Sequence, residues 1–118
     1  MKKIGIVGSR RRNTTKDLIR VEDTFWDIYE DDDIIVSGGC PEGGDRFAEI
    51  IASQHEIPII IFKADWSVGR HAGFLRNTDI AKGSDVLIAC VSGDRTGGTE
   101  DTIYKFRGFY PEGRVVLV

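Results

Sequence analysis

The sequence predicts an α/β fold built on a mainly parallel five-stranded sheet, and three observations lead there. Short apolar segments alternate with segments of helical periodicity along the whole chain. The run Ile57–Phe62 is apolar without interruption, the pattern of a strand covered on both faces. Three strands run into glycine-bearing, small-polar loops: Gly8-Ser9-Arg10, Ser37-Gly38-Gly39 and Gly97-Gly98-Thr99. Parallel strands joined by helices take right-handed crossovers, so all three loops fall at one edge of the sheet.

The first strand is Lys3–Val7, ended by Gly8-Ser9-Arg10. Thr14 or Thr15 then caps a helix with Asp17 in its first turn, where a carboxylate is favoured. Leu18, Val21, Phe25 and Ile28 recur at helical spacing and form its apolar face. The acidic run Glu30 to Asp33 closes that helix and reads as a solvated loop, because consecutive carboxylates in a loop cannot all converge on one metal ion. Ile34–Ser37 is the second strand and Asp45–Gln54 the second helix, with Phe47, Ile50 and Ile51 facing the sheet. Ile57–Phe62 follows as the third strand, and His71 or Ala72 to Lys82 as the third helix. Asp85–Val91 is the fourth strand, Glu100–Arg107 the fourth helix with Ile103 and Phe106 inward, and Arg114–Val118 the last strand.

A chain of 118 residues suits one domain, residues 1–118, able to bury a core without disulfides or metal. Hydrophobic content of 41% with 30% charged residues is that of a soluble globular protein, and a net charge of -3 argues against wrapping nucleic acid by bulk electrostatics. No apolar run is long enough to span a bilayer, and Met1-Lys2-Lys3 leads straight into a strand without a signal peptide. The expected location is the cytoplasm. Cys40 and Cys90 fit no metal-ligand spacing and read as reduced packing residues. No metal or cofactor is expected.

The stretch Ile34–Phe47, a strand entering Ser37, Gly38, Gly39, Gly43 and Gly44 and then a helix, presents backbone N–H groups at a helix N-terminus, where an anion is favoured. It reads as half of a phosphate-binding pocket. Three such loops on one edge point to a nucleotide or sugar-phosphate site, although GIVGSR lacks the G-x-G-x-x-G spacing of ordinary dinucleotide binding. Arg10 supplies a bidentate contact to phosphate, with Ser9 adding a hydroxyl; Arg11 and Arg12 read as a solvated basic loop. Asp45 has two readings, acceptor for ribose hydroxyls and partner of Arg46, or plain helix cap. Thr99 can cap the fourth helix and touch phosphate together. Trp66 is either a base-stacking platform or ordinary packing, and His71 either a pocket-edge residue or solvated.

The ordered set GSR (Gly8–Arg10), VSGGCPEGGDRFAE (Val36–Glu49), KADW (Lys63–Trp66), AGFLRN (Ala72–Asn77) and GGTEDT (Gly97–Thr102) resembles the SLOG superfamily, more narrowly its YspA or cpYpsA-related branch. The resemblance covers essentially the whole chain. It implies a Rossmann-like three-layer α/β/α fold, a site that senses or processes a nucleotide-derived ligand, and a homo-oligomer. The superfamily includes the LOG phosphoribohydrolases, which cut the base from ribose 5′-phosphate with an arginine and a glutamate. Arg76 matches the arginine, followed by Asn77 where those enzymes have lysine, and Gly97, Gly98 and Thr99 match part of the glycine loop. The glutamate position falls on Thr102, which cannot supply a carboxylate. The resemblance thus favours ligand binding. Its alternative is a hydrolase using Arg76 with Glu100, Asp101 or Asp45. A DprA-like single-stranded DNA binder is disfavoured by the acidic balance and the lack of a basic, aromatic-lined stripe.

Overall fold

The computed structural model describes residues 1–118 and is α/β. In chain order it comprises β1 (Lys3–Gly8), α1 (Thr15–Ile28), β2 (Ile34–Ser37), α2 (Gly44–His55), β3 (Ile59–Ile61), a short 3-10 turn (Trp66–Val68), α3 (Ala72–Lys82), β4 (Val86–Cys90), α4 (Gly98–Phe109) and β5 (Arg114–Leu117). The sheet is wholly parallel in the order β3-β2-β1-β4-β5. Strand order reverses between β1 and β4, so the cleft at their carboxyl ends is the place where α/β sheets of this kind take ligands. No helix is long and apolar enough to cross a membrane.

The strand alternation explains the three layers. Ile4, Ile6, Ile35, Val86 and Ile88 point to one face and meet Val21, Phe25 and Ile28 of α1 and Phe47, Ala48 and Ile51 of α2. Val36, Leu87 and Ala89 point to the other and meet Ile80 and Ala81 of α3 and Ile103 and Phe106 of α4. Thr14 is the cap of α1: its hydroxyl accepts from the Asp17 N–H while the Asp17 carboxylate accepts from the Thr14 N–H, a capping box.

Three expectations need correction. The third strand is an edge strand of only three residues, and Ile60 is exposed. Pro58 lacks an N–H and Glu56 turns left-handed at the end of α2, so pairing begins only at Ile59. Ile50 is only partly buried; Ala48 takes its place against the sheet, because four residues from Phe47 the next inward position is Ile51. The acidic run is not all solvated: Asp33 is buried, with Oδ2 2.6 Å from Lys2 Nζ and Oδ1 accepting the Lys2 N–H at 2.7 Å. Burial pushes its pKa up, but the Lys2 ammonium and the backbone N–H groups of Lys2 and Glu30 prevail and hold it below the ordinary value.

Candidate functional site

A cavity of about 340 Å³ opens at the reversal point of the strand order. The end of β1 and its loop contribute Val7, Gly8, Ser9, Arg10 and Arg11, and the loop into α4 contributes Thr96, Gly97, Gly98 and Thr99. Cys40 and Asp45 enter from the β2 side, and Arg76 and Asn77 from α3. Most ligand cavities are lined mainly by apolar groups. This one is lined mainly by polar residues and glycines, with Val7, Cys40 and Ile80 as the apolar exceptions, a setting for a charged ligand.

The N-terminus of α4 is the clearest anion feature. Gly97 adopts φ +98°, which L side chains rarely take, and a β-carbon there would meet no atom; the glycine serves backbone conformation and not packing. No side chain caps the helix, although Glu100 and Asp101 lie in its first turn, so the partial positive charge of its leading N–H groups stays uncompensated by a cap. Thr99, expected as the cap, lies one residue inside the helix, buried against the cavity. Thr102 also lines the cavity, with its hydroxyl donating to Gly98 O at 3.1 Å.

Three consecutive arginines have three different fates. Arg10 lines the cavity and, unlike its neighbours, makes no ion pair. Arg11 reaches across to the loop after β4, placing Nη1 and Nη2 at 3.0 and 2.5 Å from the Asp94 carboxylate. That guanidinium, with the Thr96 and Ser92 hydroxyls, holds Asp94 well below the usual carboxylate range. Arg12 is not a solvated residue: Nε lies 2.9 Å from Asp17, and Nη1 donates to Val91 O at 2.8 Å and Val118 O at 2.9 Å. It ties the β1 loop to the ends of β4 and β5.

The β2 loop departs from the expected half-pocket. A β-carbon on Gly44 would lie 2.3 Å from Gly8 N, so the start of α2 is pressed against the backbone of β1 and no ligand can enter there. The Gly43 N–H donates to Asn13 Oδ1 at 2.8 Å. Gly39, at φ +77°, faces Ile61 and Lys63, and Gly38 faces the Arg76 side chain. Arg46 is turned away and held by Asn13, through Nε to Oδ1 at 2.8 Å and Nη2 to the carbonyl at 3.0 Å. Ser37 is fully buried, its hydroxyl donating to Asp45 Oδ1 at 3.1 Å. Of this stretch only Cys40 and Asp45 line the cavity.

Asp45 is 8% exposed, and its Oδ2 accepts the Cys40 N–H at 3.0 Å. Burial raises its pKa, against the opposing pull of the Cys40 N–H, Arg76, Ser37 and Gly38 backbone. Arg76 Nη1 stands 4.0 Å from Asp45 Oδ2 and donates instead to Gly38 O at 2.9 Å, while its Nε is buried with no protein partner. Asn77 donates Nδ2 to Gly98 O at 3.3 Å and to Asp101 Oδ2 at 3.1 Å. The other two carboxylates considered for catalysis are committed elsewhere. Glu100 takes both Nε and Nη2 of Arg95, Asp101 pairs with Lys105 at 2.9 Å, and neither lines the cavity. Trp66 lies outside the lining, 59% exposed, with its ring against Gly73; His71 is exposed at the start of α3.

Sequence reasoning did not single out Arg11, Thr96 or Cys40 as lining residues. Arg11 and Asp94 are 83 positions apart, and no local pattern announces their pairing. Cys40 follows a glycine pair in the β2 loop, and that position was the available signal. Fold and cavity together define a doubly wound α/β domain with a polar cleft at its switch point. No family model, no curated protein and no solved structure matches this chain.

Proposed function

We propose that this cleft binds a nucleotide or a nucleotide-derived phosphate, as the resemblance to the SLOG superfamily and its YspA or cpYpsA-related branch implies. One observation carries the reading: the uncapped N-terminus of α4 and the unpaired Arg10 line the same cavity at the switch point. Helix N–H groups and a free guanidinium are complementary to phosphate oxygens in both charge and hydrogen bonding. Of the three carboxylates weighed for a hydrolase, Glu100 and Asp101 are held by Arg95, Lys105 and Asn77 outside the cavity, which leaves Asp45, beside Arg76, as the one such an activity would have to use.

The test is a thermal-shift screen against nucleoside mono-, di- and triphosphates, NAD, ADP-ribose and ribose 5-phosphate, repeated with Arg10→Ala. A ligand present at ten times its dissociation constant stabilises the fold by about 1.4 kcal/mol, a rise of about 5 °C. Arg10→Ala should weaken binding by about 1.5–3 kcal/mol, the scale of a hydrogen bond to a charged group. Unchanged affinity in that variant would remove Arg10 from the site.

A further inference from the structure

The cavity lining carries charge of both signs. Arg10 and the start of α4 offer donors and positive charge, suited to phosphate oxygens that only accept. The lining also holds Asp45, its one carboxylate, with Arg76 Nη1 4.0 Å away. An anion alone would meet that carboxylate at a cost, since like charges in a largely buried site repel strongly.

The hydrogen-bond inventory says what fits there. The Asp45 carboxylate offers about four lone-pair positions. Ser37 Oγ uses one on Oδ1, the Cys40 N–H uses one on Oδ2, and the Gly38 backbone adds a further contact. Arg76 Nη1, at 4.0 Å, balances the charge without occupying a position. Accepting capacity therefore remains on Asp45. Asn77 has both its donor contacts spent on Gly98 O and Asp101, which leaves its Oδ1 as a second acceptor in the lining. Open acceptors match a ligand group that donates. A hydroxyl donates, a phosphate oxygen above its pKa only accepts, and an alkyl chain does neither.

We propose that Asp45 is the specificity-determining residue of this cavity, selecting phosphates that carry free sugar hydroxyls and discriminating against phosphate alone. The inference rests on the reading above that the cavity takes a phosphate ligand. A plain cap or loop-anchoring role would not produce it, because both would affect every phosphate alike.

Calorimetric titration of four probes tests it: ribose 5-phosphate, AMP, pentyl phosphate and inorganic phosphate, each against wild type and Asp45→Asn. Wild type should bind the two hydroxyl-bearing probes about ten- to a hundredfold more tightly than the other two, the range of one hydrogen bond to a charged group. Asp45→Asn should erase most of that preference, weakening ribose 5-phosphate and AMP while inorganic phosphate binds as before or more tightly. A preference for AMP over ribose 5-phosphate, or the reverse, supports the proposal equally and tells whether the hydroxyls belong to a nucleotide or a free sugar phosphate. Equal weakening of all probes by Asp45→Asn overturns it. Equal wild-type affinity for ribose 5-phosphate and pentyl phosphate also overturns it, with no variant needed. Binding of none of the four overturns the phosphate reading itself, and this inference with it.

Discussion

Gly44→Ala adds one methyl group at the most crowded of the protein's glycines. Its β-carbon would lie 2.3 Å from Gly8 N, 2.3 Å from Val7 C and 2.5 Å from Val7 O. Non-bonded carbons settle near 3.5–4 Å, so α2 and the end of β1 would have to part by about an ångström. None of the three atoms belongs to a side chain that can swing aside. The helix cannot retreat freely either, because Phe47, Ala48, Ile51 and Ala52 bury its inner face in the core shared with β1 and β2. Overpacking of a well-filled interior costs about 1–3 kcal/mol, and a clash with backbone on both sides belongs at the upper end. Alanine recovers at most about 1 kcal/mol in helix propensity, less in a first turn. At about 4 °C per kcal/mol for a domain of this size, the melting temperature should fall by about 10 °C. Gly108→Ala is the control: the residue lies in α4, a β-carbon there meets nothing within 4 Å, and stability should hold or rise slightly. Thermal unfolding followed by far-ultraviolet circular dichroism reads both. A Gly44→Ala variant melting within about 3 °C of wild type would refute the claim that this contact sets the distance between α2 and β1.

Arg12→Ala should destabilise the fold by about 2–4 kcal/mol, since it removes a charged donor from two carbonyls and from the largely buried Asp17; urea unfolding showing a loss under about 0.5 kcal/mol would return Arg12 to the solvated class. Asp33 carries a pH prediction. Its folded pKa lies below the ordinary 3.8, so its contribution is present above that value and is lost as the pH falls through the lower folded value. Stability should therefore drop on acidification below about pH 4, and Asp33→Asn should flatten part of that drop; an unchanged acid profile in the variant would contradict the assignment. The Asp45→Asn and Arg10→Ala titrations described above address the cavity directly.

The order of elements was legible from residues alone because period and punctuation are local. Leu18, Val21, Phe25 and Ile28 mark a helix face without reference to anything distant, and Thr14 with Asp17 marks its start. The parallel α/β class followed from the alternation, and three glycine loops located the edge of the sheet where a cleft would open. Gly8, Ser9, Arg10, Asp45, Arg76, Asn77, Gly97, Gly98 and Thr99, all candidates by sequence, do meet in one cavity.

Long-range pairing was decided by the tertiary structure. Two glycine-to-helix junctions, at Gly43-Gly44 and at Gly97-Gly98, look alike in one dimension. Only packing separates them: at the first a β-carbon on Gly44 would lie 2.3 Å from the backbone of β1, while at the second Gly97 faces open space and Gly98 has only Asn77 in ordinary contact distance. In sequence Arg10 stands apart from Arg11 and Arg12, which share one reading, yet Arg11 spans to Asp94 and Arg12 anchors the ends of β4 and β5. Likewise Glu100 and Asp101 sit beside the site in sequence, but the helix turn sends them to Arg95 and Lys105, while Asp45 arrives from the far side of β2. Secondary structure is set by periods of a few residues, whereas a charged side chain takes the partner that folding brings within reach. Here that partner is as much as 106 positions away.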